Sequence, residues 1–260
     1  MAVVHVERDG PQIRLIFDNP AKRNAMTLGM WRTVAQAVAR AEADPDVRVI
    51  VIRGQGDKAF VSGADISEFE TQRSDPAGVS AYGDAVRTAQ RALSMSRLPV
   101  VAVVQGVCFG GGLGLALSAD IRYCARDARF RMPAARLGLG YAFDGSRRMV
   151  ECIGAARAAE LFMTARIFDG AEAERIGVVH QAFDAADLDA QANERIAMIS
   201  GNAPLTMAAA KLAIHQAGLT ESERDLDAVA AAVQACFDSD DYKEGRRAFM
   251  EKRAPNFQGW

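Results

Sequence analysis

The sequence predicts an α/β domain of repeated strand–strand–helix turns, followed by a helical C-terminal region. Three observations carry that expectation. Up to about Phe183, short β-branched runs alternate with stretches of helical periodicity. Two glycine-containing stretches, Phe60-Val61-Ser62-Gly63-Ala64-Asp65-Ile66 and Phe109-Gly110-Gly111-Gly112-Leu113-Gly114, each follow such a run and read as opening a helix. After Ala155 helical spacing takes over, interrupted by one strand read at Val178 to Phe183. Half of the 260 residues are apolar, enough for one substantial core plus an appendage. The expected division is a core over 1–200 and a helical oligomerisation region over 201–260.

The elements follow in order. Val3 to Glu7 and Ile13 to Phe17 read as two strands around an Asp9-Gly10-Pro11 turn. Thr27 is placed to cap a helix whose apolar positions (Met30, Val34, Ala37, Val38, Ala41) recur at helical spacing and which ends at Asp44-Pro45. A strand from Val49 to Arg53 leads into a Gly54-Gln55-Gly56-Asp57 turn. A helix from about Ser80 stops at Ser96, ahead of Pro99, and the Val100 to Val104 strand follows. Ile121 to Cys124 is the next strand. Ala155–Thr164, Ala171–Ile176, Ala185–Ser200, Leu205–Gln216, Glu221–Phe237 and Asp241–Lys252 read as helices. The Ala228 to Val233 face reads as core or subunit contact, and no period is regular enough for a solenoid.

Composition excludes several classes. A net charge of −2 gives no global attraction to nucleic acid or an anionic membrane, so neither is expected as a partner. The longest apolar stretch, Leu98 to Val104, is too short to span a bilayer, and the N-terminus carries no export signal. Cys108, Cys124, Cys152 and Cys236 lack CxxC spacing and read as reduced, which fits a cytoplasmic protein. His5, His180 and His215 form no metal-ligand pattern, so no metal is expected. No G-x-S-x-G elbow supports a serine hydrolase. Gly54-Gln55-Gly56-Asp57-Lys58-Ala59 formally fits a dinucleotide fingerprint, but Phe60 to Gly63 reads as extended or loop where that motif needs a helix.

The glycine stretches carry the chemistry. Small residues let backbone N–H groups approach a ligand closely, and a helix start aims them at developing negative charge. Two such sites in one domain point to an oxyanion hole, the device that stabilises an enolate or a tetrahedral oxyanion. The competing reading is that the glycines only permit close helix–sheet packing.

At these residues the chain resembles the crotonase, or enoyl-CoA hydratase/isomerase, superfamily. The resemblance runs through Asn19-Pro20-Ala21-Lys22-Arg23-Asn24-Ala25-Met26, Phe60 to Ile66, Gly106 to Asp120 and Ala135-Arg136-Leu137-Gly138. It continues at Phe168-Asp169-Gly170-Ala171-Glu172-Ala173, Gly177-Val178-Val179 and Phe249-Met250-Glu251-Lys252-Arg253. It implies a spiral of ββα turns with a helical C-terminal region, trimers that often pair into hexamers, and an acyl-CoA thioester as substrate. Coenzyme A is then part of the substrate, and no separate cofactor is expected. Carried over by position, Ala64 and Gly111 would supply the two oxyanion amides, with Gly110 beside them. Ala64, Asp65 and Ile66 would border the adenine, and Lys22, Arg23 and Ala25 would lie along the nucleotide and pantetheine. Phe249 and Lys252 would lie near the adenosine end, from the same or a neighbouring subunit.

The chain departs from the hydratases of this family at two positions. They place one glutamate on the glycine-rich helix and another just after the Phe-x-x-Pro strand. Here those positions hold Gly114 and Ala134, neither of which transfers a proton. Since general acid–base assistance is worth about 10²–10⁴-fold, ordinary hydration is disfavoured. Tyr141 matches a tyrosine of a decarboxylase branch, and a neutral phenol can orient a leaving carboxylate. Asp144 is the nearest carboxylate and a candidate base for an isomerase-like shuttle, although its place before Gly145-Ser146-Arg147-Arg148 also reads as a helix N-cap. Arg131 and Arg136 flank Ala134 and are candidates to hold a second carboxylate on the acyl group. Three functions stay open at this point: a family enzyme working through a thioester enolate, a decarboxylase of the same fold using Tyr141, and a non-catalytic acyl-CoA-binding subunit.

Overall fold

A computed structural model of the protein describes residues 2–68 and 75–260. β1 (Val3–Asp9) and β2 (Gln12–Asp18) pair antiparallel around the expected turn. α1 (Leu28–Ala43) follows, with the Thr27 side chain accepting from the Met30 amide, as the sequence predicts. Its buried residues are Met30, Trp31, Val34, Ala37, Val38 and Ala41, the five periodic positions plus one tryptophan.

From here each turn of the chain contributes one long strand, one short strand and a helix. The first turn is β3 (Val49–Gly54), β4 (Ala59–Val61) and α2 (Pro76–Met95). The second is β5 (Val100–Val104), β6 (Val107–Phe109) and α3 (Gly111–Leu117). The third is β7 (Ile121–Ala125), β8 (Arg129–Arg131), then α4 (Phe143–Ile153) and α5 (Ala155–Thr164). β9 (Ile167–Asp169), α6 (Gly170–Ile176), β10 (Gln181–Phe183) and α7 (Leu188–Ser200) close the spiral. The long strands form one six-stranded sheet in the order β1-β2-β3-β5-β7-β10, parallel from β2 onward. The short strands form a second sheet, β4-β6-β8-β9, in which only the last pair is antiparallel. β5 is buried along its whole length, as a parallel strand covered on both faces must be.

Three expectations are corrected here. The one helix read over Glu221–Phe237 is a 3-10 turn at Glu221–Glu223 followed by a separate helix from Leu226, because Asp225 caps a new start. The Val178 to Phe183 strand is shorter, because a turn through residues 178–180 precedes Gln181–Phe183. The helix expected after Gly63 is, among the described residues, a single 3-10 turn at Ile66–Glu68.

The C-terminal helices α8 (Pro204–Ala217), α9 (Leu226–Asp238) and α10 (Asp240–Glu251) pack mainly on one another. A lysine on α8 ties them to the spiral. Lys211 Nζ donates to the carbonyls of Leu93 and Leu98 (3.3 and 3.0 Å) and to Asp120 Oδ2 (2.7 Å). That carboxylate oxygen also accepts from the Val100 amide, at the first residue of β5. Among the described residues, no helix is long and apolar enough to cross a membrane.

Candidate active site

Three parallel short strands end at the same edge of the second sheet, so the residues just past them lie side by side. Gly63–Ala64 follows β4, Gly110–Gly111 follows β6, and Pro133–Ala134 comes after β8. The Gly110 amide donates to the Arg131 carbonyl (2.9 Å), tying the second segment to the third. The first segment is held by a parallel bridge between Met26 and Ala64. In it Met26 N donates to Gly63 O (2.8 Å) and Asp65 N to Met26 O (2.9 Å). This pattern uses the groups flanking Ala64 and turns its own amide to the opposite side. A Cβ built on Gly111 would lie 3.9 Å from the Ala64 nitrogen and 3.5 Å from Trp31 Cζ2. The two amides proposed from the sequence thus lie on neighbouring segments, and neither donates to any group among the described residues.

Trp31 is the floor under this pair. Its Nε1 donates to the Tyr82 hydroxyl (3.0 Å), which donates in turn to the Met26 carbonyl (3.2 Å). The packing explanation of the glycines is correct for one of them. A Cβ on Gly112 would sit 2.1 Å from the Val61 carbonyl, so that position admits no side chain. Gly110, at φ 51° and ψ −112°, needs the freedom of glycine to turn β6 into α3. Gly111 has ordinary room around it, so steric need alone does not account for it.

One helical turn further on, the position expected to lack a glutamate is not an empty space. A Cβ on Gly114 would come within 3.1 Å of the Tyr141 hydroxyl and 2.7 Å of Gln90 Nε2. The Tyr141 ring also fills the place of a side chain on Gly145, 2.5 Å from where its Cβ would be, and packs edge-on against Phe162 at 5.0 Å. Two helical glycines therefore make room for one tyrosine. Burial pushes the Tyr141 phenol up to about 12, so it is neutral across the physiological range. Ala134 is buried, as an alanine can be in an apolar setting.

The remaining candidates divide. Asp144 is not the N-cap of α4; Ala142 holds that position with extended backbone, and Asp144 lies within the first turn. Its side chain is 58% exposed and faces Arg87 at 3.6 Å in a surface ion pair. Arg131 spends its Nε on the Ala165 carbonyl (2.7 Å), and Arg136 is exposed. Lys22 Nζ contacts both Asp65 oxygens (2.9 and 2.8 Å) and Ser67 Oγ (2.5 Å). Burial raises the Asp65 carboxyl, but hydrogen bonds from Lys22 and Ser67 outweigh it and hold the group below its ordinary value. Arg23 is exposed beside them, in the left-handed region at φ 51°. Ala25 is buried, and Ile66 is exposed next to Asp65. Phe249 and Lys252 lie elsewhere, on and just after α10. Phe249 lines an apolar groove of about 780 Å³ between the C-terminal helices, with Phe237, Tyr242 and Phe257. Within one chain they are not joined to the Lys22 and Asp65 cluster by any hydrogen bond or ion pair among the described residues.

Sequence reasoning missed Gln90 and the Trp31–Tyr82 relay. The signal for Gln90 was available: it stands four residues after Val86 and three before Leu93, on the apolar side of α2. The fingerprint-like Gly54 to Ala59 segment runs into strand β4 rather than a helix, so it lacks the context of a dinucleotide site.

The family model for enoyl-CoA hydratase/isomerase matches residues 12–260. The crotonyl-CoA hydratase of Syntrophomonas wolfei is 31% identical over 252 residues, 97% of this chain and 96% of that protein. The peroxisomal Delta(3,5)-Delta(2,4)-dienoyl-CoA isomerase of Arabidopsis thaliana is 32% identical over 268 residues, 99% of this chain and 96% of its own length. The crystal structure of an enoyl-CoA hydratase/carnithine racemase from Magnetospirillum magneticum superposes with a TM-score of 0.91 at 32% identity, covering 99% of this chain and 96% of that one.

Proposed function

The chain belongs to the enoyl-CoA hydratase/isomerase family, and on that premise we propose that it polarises an acyl-CoA thioester through the amides of Ala64 and Gly111 and passes through a thioester enolate. Coenzyme A enters as part of the substrate. Lys22 and Arg23, with the Ala25 and Asp65–Ile66 backbone, border its nucleotide and pantetheine. The observation that carries the reading is the pair of undonated amides on adjacent strand ends. Two converging donors stabilise a developing oxyanion far better than water does, because they are already oriented when the charge appears.

The reaction that suits the rest of the site is decarboxylation of a 2-carboxyacyl thioester. It needs an electron sink more than a base. The bond between the α-carbon and its carboxylate breaks, its electron pair enters the enolate, carbon dioxide leaves, and the α-carbon then takes a proton from water. Tyr141, neutral and with no hydrogen-bond partner among the described residues, supplies a hydrogen bond where a hydratase would hold a glutamate. Asp144, turned outward to Arg87, has no part in it. The second reading is hydration or double-bond isomerisation, favoured by the names of the full-length relatives. Self-association through α8–α10, as a trimer or a dimer of trimers, is part of the same proposal. It is supported by the exposed Phe237 and Phe249 on that surface.

The test is a panel of malonyl-, crotonyl- and dienoyl-CoA with purified protein. Carbon dioxide release from malonyl-CoA, reduced at least 100-fold in Gly111→Val, is the expected result. Efficient crotonyl-CoA hydration would replace decarboxylation with the second reading. Binding without turnover of any member would make the protein a carrier rather than an enzyme.

A further inference from the structure

Resting on that reading, we propose that Gln90 is a specificity-determining residue, its amide and the Tyr141 hydroxyl forming a two-point seat for a carboxylate on the acyl group. Gln90 reaches the site from α2, a different turn of the spiral from the one that carries Tyr141. Both polar tips converge on the bare face of Gly114, 2.7 and 3.1 Å from the point a Cβ would occupy. Neither makes a hydrogen bond to a group among the described residues, and both residues are only partly buried. Both tips thus keep their donors to offer a ligand.

The chemistry of the pair selects its guest. The side-chain amide presents N–H donors and the neutral phenol presents an O–H, so two donors face the same space. A carboxylate is acceptor-only and offers two oxygens, which matches two donors better than a methyl or a methylene does. The nearby Arg87 is engaged at the surface by Asp84 at 2.9 Å and Asp144 at 3.6 Å. Neutral donors recognise a carboxylate without locking it in a salt bridge, which suits a group that must depart. The glycine at position 114 is the cost of this arrangement, since any side chain there would displace both donors.

The experiment compares malonyl-CoA with acetyl-CoA, which differ only in the carboxylate. Titration calorimetry on the whole protein, with KM and kcat for malonyl-CoA, is run for the natural protein, Gln90→Leu, Gln90→Glu and Gln90→Asn. The expected result is a preference of at least 10-fold for malonyl-CoA in the natural protein. Gln90→Leu loses about 10-fold of malonyl-CoA affinity, seen in KM more than in kcat, while acetyl-CoA binding holds within twofold. Gln90→Glu loses more through charge repulsion, and Gln90→Asn recovers part of the preference. Equal weakening of both ligands, or of neither, overturns the proposal. If Gln90→Leu does not fold, the Gln90→Glu and Gln90→Asn pair decides it by the same criterion. Failure of the underlying reading looks different: the natural protein then binds neither thioester, or turnover is indifferent to Gly111→Val. Tight binding of both ligands without a preference, with Gly111 still required, removes the role of Gln90 alone.

Discussion

Gly111 and Gly114 are one helical turn apart on α3, yet the two ends of that turn are furnished in opposite ways. At Gly111 the chemistry belongs to the backbone. Parallel pairing of β4 and β6 and the Met26–Ala64 bridge set two amides side by side, and a branched side chain at Gly111 would stand over them. At Gly114 the backbone contributes only space. The polar groups arrive from Gln90 on α2 and from Tyr141 before α4. The difference teaches that main-chain amides are placed by strand pairing and so come with the fold, whereas the polar side chains beside them are exchangeable, residue by residue.

The sharpest way to break this comparison is Gly111→Pro. Proline is tolerated at the first position of a helix and removes the N–H itself. Turnover falls by about 10²–10³-fold, the usual cost of one oxyanion donor, with an unchanged circular dichroism spectrum. A fall under fivefold would show that the Gly111 amide is idle. Gly112→Ala is the steric counterpart. Its methyl meets the Val61 carbonyl, so stability drops by about 1–3 kcal/mol in urea unfolding while activity per folded molecule falls much less than in Gly111→Pro.

At the other end of the turn, Tyr141→Phe lowers turnover about 10-fold and leaves the melting temperature within about 2 °C, since the hydroxyl has no hydrogen-bond partner to lose among the described residues. Because the phenol is pushed up to about 12, activity that depends on its neutral form stays flat from pH 6 to about 10. The linked stability has a definite sign. The folded chain holds this proton more tightly than the unfolded chain, so the contribution is complete below the unfolded value near 10 and is lost as pH rises from there towards 12. A break in the pH–rate profile near 7 traceable to Tyr141 would contradict this. The smallest effect belongs to Asp144→Asn. It removes half of an exposed ion pair, so turnover changes less than twofold and stability by less than about 0.5 kcal/mol.

Legibility in the sequence followed the same division. The long strands and most helices were visible because their periodicity and caps are local; Thr27 and the five apolar positions of α1 are an example. β4, β6, β8 and β9 have three residues each, too few for alternation to show, so the sheet that lines up Ala64 and Gly111 was hidden although the two residues were identified. Glycine punctuation marked the amides, since it is a local requirement of the turn. In the sequence Gln90 is only a polar residue on the apolar side of α2; its neighbours Gly114 and Tyr141 come from other turns of the spiral and are not adjacent in sequence. Asp144 was misread for a related reason. A carboxylate before Gly-Ser-Arg-Arg resembles a cap, but the chain enters the helix two residues earlier, at Ala142.

The ammonium of Lys211 has a consequence for anyone wishing to trim the protein. A cut at residue 200 respects the visible change from spiral to helical arm, yet it strips three acceptors of their shared donor. One of them, Asp120, holds the first residue of the strand that leads on to Gly110. The arm is thus less a detachable handle than a keystone, seated at the far end of the course of chain it steadies.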